Sequence, residues 1–337
     1  MQLGAVVVVP ARVDLTSIHE AQAHAGAGAA NSRPFYFSRM PILGHDVLGS
    51  WKERVRKLGV RSLWLTSGER DESVDRSALA GLAQQGIDRL LVIQLNSYVE
   101  MDLADLLRFH CESRNPVTED RDAGGQLGVC LRDDLVLPAT GAKFGLSCAP
   151  TDRGQTAYQF RGYAKRILSA RERQELVGDG LTGACAMRPL GREIREQVWV
   201  GEGVQLADSV RVIGPTYIGA RTIVRAGATI GPFASVEHDC VVDCGTTVER
   251  STVLPYTYLA PGLLIRHRRV DGGYLQDLKW EGVADLQRAG LGNRIQQLES
   301  RRQARRQSDV RLRAGRASAR DFAPASTALE PWLRVQL

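Results

Sequence analysis

Two sets of residues in this 337-residue chain have the side chains and the placement to do chemistry. In the first half, Arg39, His45, Glu100 and Asp102 fall where apolar, strand-like runs end. Carboxylates at such ends can hold a divalent cation, and a cationic side chain can meet charge that develops in a reaction. Asp102 has a competing assignment as the cap of the helix beginning beside it. His45 reads as a surface residue, and His110, ending an amphipathic pattern, as a helix C-terminal charge partner or core-edge residue. In the second half the histidines are His238, in VEHDC, and His267. Histidine can activate an acyl acceptor as general base, although a solvent-exposed turn is the plainer reading of His238. The cysteines Cys111, Cys130, Cys148, Cys185, Cys240 and Cys244 contain no CxxC pair. Cys240-x3-Cys244 lacks the further ligands of a tetrahedral metal site, so it reads as thiols in a reducing compartment.

The elements that must position these residues follow from apolar spacing. Leu3 to Val9 (LGAVVVV) is a strand buried on both faces, and Arg61 to Thr66 and Arg89 to Gln94 are two more. Helical spacing covers Asp46 to Leu58, Ser73 to Gln85, about Asp102 to Glu112 and Gly162 to Leu176. Residues 11–34 read as a long loop, and Asn115 to Gly128 as a charged surface loop. Strands alternating with helices imply an α/β domain with a doubly wound, mostly parallel sheet and its site at the strand C-terminal ends.

From Val200 every sixth residue is large and aliphatic: Val200, Leu206, Val212, Ile218, Val224, Ile230, Val236, Val242, Val248 and Leu254. Two residues earlier the side chains are mostly small: Thr216, Thr222, Ala228, Ala234, Cys240, Thr246 and Thr252 follow Val198, Val204 and Val210. Residues two apart on a strand share a face, so each repeat sends one large and one small side chain inward. A period of six without helical interruption predicts a parallel β-helix. The expected domains are 1–185, 186–272 and 273–337, the last a capping segment over Tyr274 to Leu291 and an Arg-rich, partly disordered tail.

Hydrophobic residues make up 43% of the chain and charged residues 24%, as in ordinary globular proteins. The net charge of +6 is concentrated in residues 281–337, which hold eleven Arg and six acidic residues. The body therefore carries no general field for nucleic acid or membrane, whereas Arg301 to Arg320 offers an anionic partner a contact, or serves as a solvated tail. The first apolar run ends at Pro10, too short for a signal peptide or membrane span, which leads to a cytoplasmic expectation.

Met40 to Val60 (MPILGHDVLGSWKERVRKLGV) and Leu91 to His110 (LVIQLNSYVEMDLADLLRFH) resemble segments of the sugar-nucleotide pyrophosphorylases. In this nucleotidyltransferase family, as in mannose-1-phosphate guanylyltransferase and glucose-1-phosphate adenylyltransferase, hexapeptide repeats follow the α/β domain. Pro41, Gly44, Leu48, Gly59 and Val60 match in the first segment. Asp102-Leu103, Leu106-Leu107 and Phe109-His110 match in the second. The resemblance implies that the β-helix is left-handed and that the chain oligomerises. The family's glycine-rich loop would follow Val9, where this chain has PARVDLTSIHEAQ. Its basic residue falls on Phe37, its metal-binding Asp on Asn96, and its lysine after Gly44 on His45. With the glycine-rich loop, the basic residue and the metal-binding Asp missing together, the resemblance implies an inactive relative that binds nucleotide sugars or pairs with an active paralogue in sugar-nucleotide or surface-polysaccharide metabolism. No cofactor is expected of that relative. An active nucleotidyltransferase is the alternative, with Mg²⁺ and a relocated phosphate site at Gly26 and Gly28, and a hexapeptide-repeat acyltransferase using His238 or His267 is the other.

Overall fold

The computed structural model describes residues 3–9, 41–60, 62–67, 81–114, 116–122, 125–133, 156–272, 274–279, 283–285 and 333–336. The first domain is built on β1 (Leu3–Val9), which is apolar throughout because parallel strands flank both its edges. Val6 lies opposite Trp64 of β2 (Ser62–Ser67) on one side and Val92 of β3 (Arg89–Gln94) on the other. The sheet continues through β6 (Gly125–Arg132) and β5 (Val117–Asp122) to β7 (Thr156–Gln159). A separate pair joins β4 (Ser97–Val99) to β8 (Ala164–Arg166). Helices α1 (Val47–Lys57), α2 (Leu103–Ser113) and α3 (Ala170–Thr182) supply core side chains including Trp51, Leu106 and Leu176.

Three sequence expectations need correction here. The sheet is mixed, not mostly parallel: β6 runs antiparallel to both β3 and β5. Only two residues separate β5 from β6, and so short a connection makes a hairpin. The stretch Asn115 to Gly128 is therefore largely strand, its charged composition concealing buried Glu119 and Asp120. The helix expected over Gly162 to Leu176 instead starts at Ala170, where Ser169 and Glu172 bond each other's backbone N–H in a capping box. The sheet is extended on its other edge by β25 (Leu333–Gln336), which pairs antiparallel to β2. Arg301 to Arg320 lies outside the described residues.

In the second domain, short strands form three parallel ladders that the chain visits in rotation. The first holds β10 (Val198–Val200), β13 (Thr216–Ile218), β16 (Ala234–Val236), β19 (Thr252–Val253) and β22 (Arg268–Asp271). The second holds β11 (Gln205–Leu206), β14 (Ile223–Val224), β17 (Val241–Val242) and β20 (Tyr258–Leu259). The third holds β12 (Arg211–Val212), β15 (Thr229–Ile230), β18 (Thr247–Glu249) and β21 (Leu264–Arg266). Val200 stacks on Ile218 and Ile218 on Val236, so one circuit takes 18 residues, an architecture compatible with a parallel β-helix. The first ladder is extended at one end by antiparallel β9 (Arg192–Arg195) and at the other by β23 (Tyr274–Asp277) and β24 (Val283–Asp285).

The six-residue register runs from Val200 to Val248 and then slips. Val236 stacks on Val253, not Leu254, and the next circuits take 17 residues: Val242 on Leu259, Val248 on Ile265, Val253 on Val270. One residue is lost at the corner Arg250–Ser251 and a second between Ile265 and Val270, and buried Ser251 takes the small-residue place expected of Thr252. At the first circuit the pattern outlasts the burial. Leu206 is 37% exposed because its ladder has no earlier strand beneath it. Ile230→Ala, at a fully buried place, is expected to lower the unfolding free energy by about 2–5 kcal/mol, against about 0.5 kcal/mol for Leu206→Ala, as read by urea denaturation.

Candidate functional site

Strand β3 delivers Gln94, Leu95 and Asn96 to its C-terminal end, beside β4 and the start of α2. The Asn96 main chain is fixed by its carbonyl, which accepts Ile167 N at 2.9 Å. Its side-chain Nδ2 donates to Gln94 Oε1 at 3.3 Å, while Oδ1 is buried with no hydrogen-bond partner. Gly128 makes room for this carbonyl: it has φ +98°, and a Cβ there would strike Asn96 Oδ1. Behind Gly128 lies Asp120, whose Oδ1 accepts Gly128 N at 3.0 Å and Val129 N at 2.9 Å. Its Oδ2 is buried without a partner, and burial pushes the carboxyl up to about 7.

The neighbouring carboxylates serve the fold. Glu100 Oε1 accepts the Tyr98 hydroxyl at 3.0 Å and Ala186 N, tying β4 to the segment after α3. Asp102 caps α2 by accepting Ala104 N at 2.9 Å. Arg54 of α1, which the sequence did not single out, grips the same segment through Val99 O at 2.9 Å and Met101 O at 2.6 Å while stacking on Trp51. His110 is buried, with Nδ1 2.7 Å from Thr118 Oγ1 and Nε2 3.1 Å from Asp133 Oδ1, and so joins α2 to β5 and β6. Arg39, Gly26 and Gly28 lie outside the described residues.

His45 stands apart from the strand end. Its Nε2 lies 2.6 Å from Arg188 O, at the junction of the two domains. The core of that junction is Glu237, which the repeat pattern presented only as a turn residue. It is fully buried, and Oε1 accepts Leu43 N and the Ser235 hydroxyl at 3.0 Å each while Oε2 accepts Gly44 N at 3.0 Å. Burial pushes Glu237 up to about 7, against these bonds and the positive charge of Arg173. Gly44 has φ +85°, and a Cβ there would strike the Tyr217 hydroxyl and Leu190.

The two coil histidines occupy different corners. His238 follows β16, with Nδ1 3.0 Å from Asp239 Oδ2, and Asp239 also takes Arg221 at 2.6 Å. His267 follows β21, beside Arg250 and Lys279. Cys240 is buried, and burial pushes its thiol up.

With this geometry in place, one similarity to a known protein bears on the chain. Part of the chain, 102 residues or 30% of it, is 31% identical to a UTP–glucose-1-phosphate uridylyltransferase of Synechocystis sp.. The match covers 26% of that relative, so the chain spans about a quarter of its length. Over that stretch the chain is sugar-nucleotidyltransferase-like. No protein-family model matches the chain.

Nucleotidyltransferases use a divalent cation, and the described residues at this strand end do not fit one. Asn96 offers a neutral amide, Glu100 and Asp102 are engaged as above, and among the described residues no three His, Cys, Asp or Glu groups converge. No helix among those residues is long and apolar enough to cross a membrane.

The junction yields a pH test with a definite sign. A folded-state value near 7 for Glu237, against about 4.5 unfolded, means that the native state holds the proton more tightly. Stability from this group is present below about pH 4.5 and lost as pH rises through 7. Glu237→Gln is expected to make the decline between pH 4.5 and 7 shallower in chemical denaturation.

Proposed function

We propose that this protein is a catalytically inactive, sugar-nucleotidyltransferase-like subunit that binds a nucleotide sugar and acts in regulation or assembly. The α/β domain supplies the binding crevice, and a left-handed β-helix of hexapeptide repeats supplies the platform for association. The observation that carries this reading is Asn96: a neutral amide, its Oδ1 buried, stands at the strand end where the resembled family places its metal-binding carboxylate. Glu100 and Asp102 do not replace it, because their oxygens accept Ala186 N and Ala104 N.

Similarity to the uridylyltransferase supports a uridine nucleotide and glucose 1-phosphate as the first ligands to try. Exposed Leu206, Ile213 and Leu264 on the coil support association with a second copy or an active paralogue in sugar-nucleotide or surface-polysaccharide metabolism.

The assay is pyrophosphate release from each nucleoside triphosphate with Mg²⁺ and a panel of sugar 1-phosphates. The expected result is no turnover above a heat-killed control, together with thermal stabilisation by a nucleotide sugar of about 2.7 kcal/mol at a hundred times its dissociation constant. Turnover by the pure protein contradicts the inactive reading.

A further inference from the structure

A cavity of about 490 Å³ lies between α3 and one corner of the coil, remote in sequence from the strand-end residues. The corner is built by repetition. Phe233, Arg250 and His267 occupy the same place in three successive circuits, 17 residues apart, each with a left-handed φ of 54°, 47° and 50°. Each backbone N–H reaches down one circuit: Phe233 N to Pro215 O at 2.7 Å, Arg250 N to Pro232 O at 2.9 Å and His267 N to Glu249 O at 3.2 Å. The side chains therefore line up as a column along the cavity wall, with the Arg250 guanidinium 4.9 Å from the Phe233 ring centroid. Lys279, from the segment beyond β23, lines the cavity beside Leu278.

The cations of this corner are not held in ion pairs of their own among the described residues. At another corner Arg221 and Asp239 pair at 2.6 Å. Here Glu249 is engaged by Arg266 at 2.8 Å, and Glu175 of α3, which lines the cavity together with Arg171, by Lys165 at 2.9 Å and Arg171 at 3.4 Å, while Asp277 Oδ1 accepts the Lys279 backbone N–H at 2.7 Å. Among the described residues no carboxylate pairs with Arg250 or Lys279. Burial, and then the positive charges of Lys279 and Arg250, hold the His267 imidazole below its ordinary value, so the cations bear on one place. Gln174 completes the α3 wall, held by Phe233 O at 3.0 Å and the Thr252 hydroxyl at 2.6 Å.

We infer that this cavity is a binding site for the phosphate group of a small phosphorylated metabolite. Arg250, Lys279 and His267 approach from three separate segments, which suits the several oxygens of a phosphate better than the two of a carboxylate. The volume falls in the range of small-molecule sites and exceeds what phosphate alone fills. The remainder of the metabolite lies along Phe233 and Leu278. The site is independent of the nucleotide crevice and of whether the strand end is active.

The test is isothermal titration of the full chain, in phosphate- and sulfate-free buffer, with inorganic phosphate and separately with glucose 6-phosphate. Both are expected to bind at one site, the sugar phosphate at least as tightly. The variant Arg250→Ala/Lys279→Ala should lose about tenfold or more in affinity for each, while its ligand-free melting temperature stays that of the native chain. A control, Arg211→Ala on β12, which does not line the cavity, should bind both ligands as the native chain does. Native protein that binds neither ligand, or a double variant that binds both unchanged, overturns the proposal.

Discussion

A carboxylate taken out of water must be surrounded by donors, and Glu237 meets that requirement only across the domain junction. Two of its donors are the backbone N–H groups of Leu43 and Gly44, which belong to the first domain. The third is Ser235, on its own strand. Neither partner is satisfied alone: the 42–45 turn would leave two N–H groups buried and unpaired, and the coil an uncompensated carboxyl. Leu190 N, bonded to Leu43 O at 2.9 Å, and His45 on Arg188 O fasten the same turn from the linker side. Helix α1 starts directly after this turn and carries Arg54, which grips the segment leading from β4 into α2. The coil thus connects to the strand-end segment through a chain of polar contacts, buried at Glu237 and part-buried at Arg54.

Much of the second domain was legible because hexad periodicity has a direct geometric cause. Ile218, Val224, Ile230, Val236, Val242 and Val248 are all fully or almost fully buried, as their spacing implied. The slip after Val248 was not legible. Leu254 is as aliphatic as Val253, and only the ladder pairing shows that Val253 lies over Val236. Asp102 was readable as a helix cap, and Ser169-x-x-Glu172 carried a capping signature that outranks the vaguer apolar spacing of residues 162–176. Strand β5 was hidden by its own polarity. Glu119 and Asp120 are buried in the sheet, and composition alone places such residues in a loop. Pairing of Leu333–Gln336 with β2 is a contact between the two ends of the chain, which no local pattern encodes.

The candidate site was legible in its substitutions more than in its contacts. Asn96 stands at the end of β3 as the spacing implied, but the cradle formed by Gly128 and Asp120 comes from a hairpin whose charged composition is that of a loop. Glu237 looked like one of several turn residues following an inward aliphatic position. Its role depends on what packs against that corner, and a repeat pattern carries no information about neighbours outside the repeat. The same limit applies to the column Phe233, Arg250 and His267, where a 17-residue spacing appears only after the register slip.

We propose that the strand end around Asn96 accommodates a sugar nucleotide without a divalent cation. Isothermal titration of the full chain with a panel of sugar nucleotides, in Mg²⁺ and again in excess chelator, measures this directly. The expected result is binding whose dissociation constant agrees within about twofold between the two conditions. Affinity that appears only with Mg²⁺, or that rises about tenfold or more when Mg²⁺ is restored, contradicts it.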